Sequence, residues 1–167
     1  MNTKKIAYLG LLIALAFVLS YVEFLLPINI GVPGAKVGLA NIVVVVALYT
    51  IGGKNAFILS VIRVILVGLT FSNPAMTIYS IAGALLSFVI MYLTKRFSKF
   101  SMTGVSVLGG VFHNVGQIIV AMFLMETKSL VFYLPVLIIL GTISGIVIGL
   151  LAAMIVKRIR PLLLQNR

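Results

Sequence analysis

The sequence contains no cysteine, no tryptophan and no aspartate, and its only carboxylate side chains are Glu23 and Glu126. Without cysteine there can be no disulfide, thiolate metal site or thiol nucleophile. With two acids far apart in the chain, carboxylate-rich chemistry is excluded. A Mg²⁺–diphosphate site draws on clustered carboxylates, and a glycosidase needs a pair flanking one bond. A G-x-x-x-x-G-K-[ST] phosphate loop is also missing. Gly52-Gly53-Lys54-Asn55 has neither the upstream glycine nor the hydroxyl, so any ATP-driven step must come from a partner. The lack of tryptophan leaves tyrosine and phenylalanine to form interfacial belts.

What is present is hydrocarbon. Hydrophobic residues make up 62% and charged residues 9% of 167, and the mean hydropathy is +1.29, which is the composition of an integral membrane protein. The formal charge of +11 does not point to nucleic acid, because the basic residues lie in short clusters at the ends of apolar runs, where they set topology.

The apolar runs predict six helices in a single membrane domain, residues 1–167, of all-α class. Lys4 and Lys5 precede helix 1, residues 6–26, which is too long for the apolar core of a cleaved signal peptide and long enough to cross about 30 Å of hydrocarbon. Pro27 ends it, and residues 28–36 form a first outer loop. Helices 2 (37–51) and 3 (55–71) are short. They either begin within the headgroups, are shielded by neighbours, or together make a re-entrant hairpin. Ser72 or Asn73 caps helix 4, with Pro74 in its first turn, and the helix runs to about Leu93. Helix 5 covers 104–125. Helix 6 covers 130–156, with Pro135 available to kink its start and the Lys157–Pro161 cluster closing it.

With a cytoplasmic N-terminus, ten basic residues fall inside and only Lys36 and Lys128 outside, which predicts a cell-membrane protein with both termini cytoplasmic. The remaining cation, Arg63, falls in the middle of helix 3. A central arginine costs about 2.5 to 3.5 kcal/mol on insertion scales, so it should face protein or a wet cavity. The same reasoning applies to His113, Asn114 and Gln117 in helix 5. His113 and Gln117 are four apart and share a face, with Gly109, Gly110 and Gly116 leaving room. A lone histidine commonly serves as an interhelical hydrogen-bonder, and with no second His or Cys a metal site is not expected. Here three further polar groups at similar depth favour a binding role. Asn41 enters from the outer side behind the Pro33–Lys36 loop, which reads either as the lip of a site or as an ordinary helix start. Glu23 can pair with Lys36 or Arg63, or reach the interface; Glu126 is expected at a solvated turn.

Small residues mark close helix contacts. Gly10 and Ala14 in helix 1 are four apart, as are Gly141, Gly145 and Gly149 in helix 6. The helix 6 set suits internal packing, and the helix 1 pair suits internal packing or a partner equally.

The stretches Leu19–Glu23, Pro33–Val43 (PGAKVGLANIV), Arg63 followed by Phe71–Pro74, and Gly104–Gln117 (GVSVLGGVFHNVGQ) resemble the Gx transporter family, also labelled heptaprenyl diphosphate synthase component I. That family in turn resembles the substrate-binding S components of energy-coupling factor (ECF) transporters. The resemblance implies a six-helix, non-enzymatic subunit without a cofactor. It would bind a small vitamin-like or isoprenoid/quinone-related molecule through Lys36, Asn41, Arg63, His113, Asn114 and Gln117. Gly10 and Ala14 would dock on a transmembrane coupling subunit that carries a pair of ATPases. The strict Ala-x-x-x-Ala docking pair is absent. The alternative implied by the second label is an accessory membrane subunit of polyprenyl diphosphate synthesis, since a chain without aspartate cannot supply aspartate-rich prenyl-transfer motifs. A purely structural anchor would carry Arg63 and the helix 5 amides at a cost without a use.

Overall fold

A computed structural model describes residues 3–26 and 38–165, so the Pro33–Lys36 loop lies outside the described residues. The described residues form α1 (Thr3–Leu25), α2 (Leu39–Thr50), α3 (Gly53–Thr70), α4 (Pro74–Phe97), α5 (Met102–Leu124), a 3₁₀ segment (Lys128–Tyr133) and α6 (Leu134–Gln165), with no strand among them. Five of these helices, all but α2, are long and apolar enough to cross a membrane.

The helix ends follow local chemistry. The Asn73 side chain accepts from the Met76 N–H at 2.7 Å with Pro74 in the first turn, as expected, and Ser101 accepts from Gly104 N–H at 3.1 Å at the start of α5. Pro135 is the second residue of α6, where its missing N–H has no helical partner to lose, so it starts the helix instead of kinking it. Two ends differ from the sequence reading. Helix α4 continues past Leu93 to Phe97. Helix α6 continues past Val156 to Gln165 with Pro161 inside it, because basic side chains favour a helix C-terminus and do not by themselves stop a helix.

Neighbour contacts run in a ring, α1 to α3 to α4 to α5 to α6 to α2 and back to α1, with α2 also touching α3. The short α2 is the most enclosed element. Residues 43–48 are buried without interruption, which is the pattern of a helix surrounded on all sides. At 1.5 Å per residue its 12 residues reach only about 18 Å, and the neighbouring helices shield what lipid would otherwise meet.

Close approach is concentrated between α5 and α6. A Cβ at Gly110 would lie 2.5 Å from the Gly141 carbonyl oxygen, one at Gly145 would lie 2.6 Å from Val107 Cα, and one at Gly149 would lie 2.6 Å from Thr103 Cα. The α6 glycines therefore serve internal packing, as their spacing indicated. Gly109 and Gly116, expected to leave space beside His113, also bring α4 close. They admit Met91 and the Ala82–Gly83 backbone, drawing α4 onto α5.

In α1 the two small-residue faces separate. Leu9, Leu12, Ala16 and Ser20 are buried, whereas Gly10 and Ala14 are exposed, and a Cβ at Gly10 would meet nothing within 4 Å among the described residues. Near its C-terminal end α1 is held to α3 by Phe71, whose ring lies 5.1 to 5.6 Å from those of Phe17, Tyr21 and Phe24.

Candidate binding cavity

The ring of helices leaves a cleft that is open in part to solvent. Its walls come from all six helices. Of the residues singled out in the sequence, Asn41, Arg63, His113, Asn114 and Gln117 line it together; Lys36 lies outside the described residues. The convergence has a simple basis. Asn41 is in the first turn of α2, Arg63 is past the middle of α3, and residues 113–117 form one turn and a half of α5, so antiparallel helices bring them to similar heights.

Among the described residues Arg63 is the buried charge, only 9% exposed. Its Nε is buried without a hydrogen-bond partner among the described residues. A guanidinium has five donors and no acceptor, and leaving one buried and unmet costs on the order of 1 to 3 kcal/mol.

Glu23 also lines the cleft, and its charge is felt at Arg63, although no salt bridge joins them. Of the alternatives open to Glu23 in the sequence, the cleft places it near Arg63. Glu23 Oε1 accepts the backbone N–H of Gly38, the residue preceding α2. Gly38 has φ +80°, a left-handed conformation that suits glycine, and an added Cβ would lie 3.1 Å from Asn41 Nδ2. Glu23 thus serves α2 as a remote N-terminal cap and sets a negative charge against the positive end of its dipole.

The two helix 5 amides have different surroundings. Asn114 Nδ2 donates to the carbonyl of Leu137 at 2.8 Å, tying α5 to the first turn of α6, so part of its hydrogen-bonding capacity is already used within the bundle. Gln117 is half-buried, and its Cγ and the His113 carbonyl crowd Gly83, each 2.7 Å from where a Cβ there would sit.

Sequence reasoning missed the hydroxyls. Ser20, Ser80, Ser87, Ser106 and Ser144 all line the cleft. The available signal was weak, because serines within apolar helices ordinarily return their proton to their own backbone. Ser20 does so to Ala16 at 2.9 Å and Ser144 to Gly141 at 3.3 Å.

The family model described as heptaprenyl diphosphate synthase component I matches residues 12–155. The chain belongs to that family. No curated protein and no solved structure matches it. In this chain the two carboxylates lie apart: Glu23 is in the cleft, and Glu126 is exposed beyond the end of α5 with φ 49°. Among the described residues no three His, Asp or Glu side chains come together as a metal site.

Proposed function

We propose that this protein is the substrate-binding membrane subunit, or S component, of an ECF-type uptake transporter. In this reading six spans cross the cell membrane with both termini in the cytoplasm. A small vitamin-like or isoprenoid/quinone-related molecule occupies the cleft, and a coupling subunit with its ATPase pair supplies the work. The observation that carries the proposal is Arg63, a buried guanidinium on the wall of a cleft with an unmet donor. A structural anchor gains nothing from such a group, whereas a binding site gains selectivity. Gly10 and Ala14, exposed and small on α1, support the coupling-subunit contact, since close backbone approach between membrane helices needs such residues.

The test is purification of the protein in mild detergent and mass spectrometry of the small molecule that accompanies it, with Arg63→Ala alongside. The variant is expected to bind about 1.5 to 3 kcal/mol more weakly, the worth of a charge-assisted hydrogen bond, and to remain folded. Normal binding with a lower unfolding temperature would make Arg63 structural.

The family description favours a second reading, a non-catalytic membrane subunit of polyprenyl diphosphate synthesis. Affinity purification separates the two. Recovery of a coupling subunit and ATPases supports transport, whereas recovery of a soluble prenyl synthase subunit supports the accessory role.

A further inference from the structure

We infer that Ser87 and Ser106 form a second polar subsite, at the end of the cleft remote from Glu23, which takes an uncharged oxygen function of the ligand: a carbonyl, hydroxyl or ether. The inference rests on the substrate-binding reading above and adds to it a second point of attachment, and with that an elongated ligand.

The other hydroxyls of the chain set the contrast. A serine or threonine within an apolar helix ordinarily returns its proton to the carbonyl one turn back. Ser20, Thr50, Thr70, Thr77, Ser98 and Thr142 all do so. Ser87 and Ser106 do not. They are 4% and 3% exposed, both line the cleft, and neither hydroxyl has a hydrogen-bond partner among the described residues. Buried polar groups are hydrogen-bonded as a rule, so two exceptions on one wall call for a partner from the cleft. Each hydroxyl keeps a proton to give as well as lone pairs to receive, which suits a neutral oxygen group.

Packing brings the pair together. A Cβ at Gly109 would lie 3.3 Å from Ser87 Oγ and 2.6 Å from Met91 Sδ, so Ser87 stands against the stretch of α5 that Gly109 leaves bare. Ser106 is three residues from Gly109 and shares its face of α5, and Met91 adds an apolar wall beside them. Helix register gives the distance from Arg63. Gly68 packs on Thr77 and Phe57 on Phe88, so α3 and α4 run antiparallel with Arg63 opposite Ala82. Gly116 packs on Ala82 in turn, which puts Arg63, Ala82 and Gly116 at one level. Ser87 lies five residues after Ala82 and Ser106 ten residues before Gly116, both toward the end of the bundle that holds Lys95. At 1.5 Å per residue the subsite begins about 7.5 Å and ends about 15 Å from the Arg63 level. A ligand that reaches both is extended along the helices with a polar group at each end, and a few placed polar groups in an apolar pocket are what fix orientation.

The experiment compares the full wild-type chain with the double variant Ser87→Ala and Ser106→Ala, by native mass spectrometry of what each retains from the membrane and by thermal unfolding in the same detergent. Occupancy by the retained compound is expected to fall about tenfold or more in the variant. The unfolding midpoint of the emptied protein should hold or rise, because the substitution removes buried hydroxyls that have no partner in the bundle. A lower midpoint would show that the hydroxyls serve the bundle, and overturns the inference. Unchanged occupancy would assign them to water; it also overturns the inference and leaves the substrate-binding reading standing. A retained compound with a single polar group does the same. Wild-type protein that emerges empty is titrated with 8-hydroxyoctanoate beside octanoate, and with 8-hydroxyoctanamide beside octanamide, following the midpoint. Stabilisation of the wild type by a hydroxylated probe over its parent, lost in the double variant, supports the inference. Equal stabilisation by probe and parent overturns it but keeps the binding reading, and no response to any of the four overturns both.

Discussion

Lys95 Nζ, in the last turn of α4, donates to the carbonyl oxygen of Leu48 at 2.6 Å and lies 4.5 Å from the centre of the Tyr49 ring. Leu48 is in the last turn of α2, so the lysine meets the negative end of that helix while Glu23 meets the positive end. The shortest and most enclosed helix is thus held at both ends by charges from other helices, in place of caps of its own. Lys95→Met keeps most of the hydrocarbon and removes the charge and donor. It is expected to destabilise the bundle by about 1 to 2 kcal/mol. An unchanged thermal midpoint in detergent would remove Lys95 from this role.

The two small-residue sets should respond in opposite ways. Gly145→Ala places a methyl against the Val107 backbone, which cannot move aside without shifting α5, so a loss of about 1 to 3 kcal/mol is expected. Gly10→Leu with Ala14→Leu adds bulk on an exposed face where, among the described residues, nothing stands within 4 Å of a Gly10 Cβ, and the unfolding midpoint should hold. If this face docks the coupling subunit, the same double variant should lose co-purification with it while still binding ligand. A destabilised double variant would show that the face packs within the protein.

Asn114 is expected to report on stability more than on binding. Removing its side chain leaves the Leu137 carbonyl without the donor that joins α5 to α6, at a cost of about 1 kcal/mol. Arg63→Ala should show the reverse pattern. If Asn114→Ala loses ligand affinity with an unaltered midpoint, its amide belongs to the binding set.

Topology can be read by cysteine labelling, because the chain has no cysteine of its own. A cysteine at Ser101, between α4 and α5, should react in intact cells only with permeant reagents. One at Thr127, before the 3₁₀ segment, should react with impermeant ones. Both positions are exposed. Impermeant labelling at Ser101 would invert the orientation drawn from the basic residues.

Much of this protein was decided by local pattern. Apolar runs between basic clusters define the helices, since a backbone in hydrocarbon must satisfy its hydrogen bonds within the segment. Asn73-Pro74 marks a helix start through side-chain chemistry that needs no tertiary partner. The four-residue spacing of Gly141, Gly145 and Gly149 marks a close-packed face, because that spacing puts them on one side of a helix. Rarity alone brought Arg63, Asn41 and the 113–117 group into view, as polar residues in apolar surroundings. What the tertiary structure decided depends on distances between segments remote in the chain. Glu23 caps α2 from 15 positions away, and Lys95 reaches Leu48 across 47. Neither pairing has a local signature, because an acid near one helix end and a lysine near another each suit the interface equally well. The same holds for which face of α1 turns inward: Gly10/Ala14 and Ala16/Ser20 both read as small faces, and only packing against α2 and α3 separates the buried one from the exposed one.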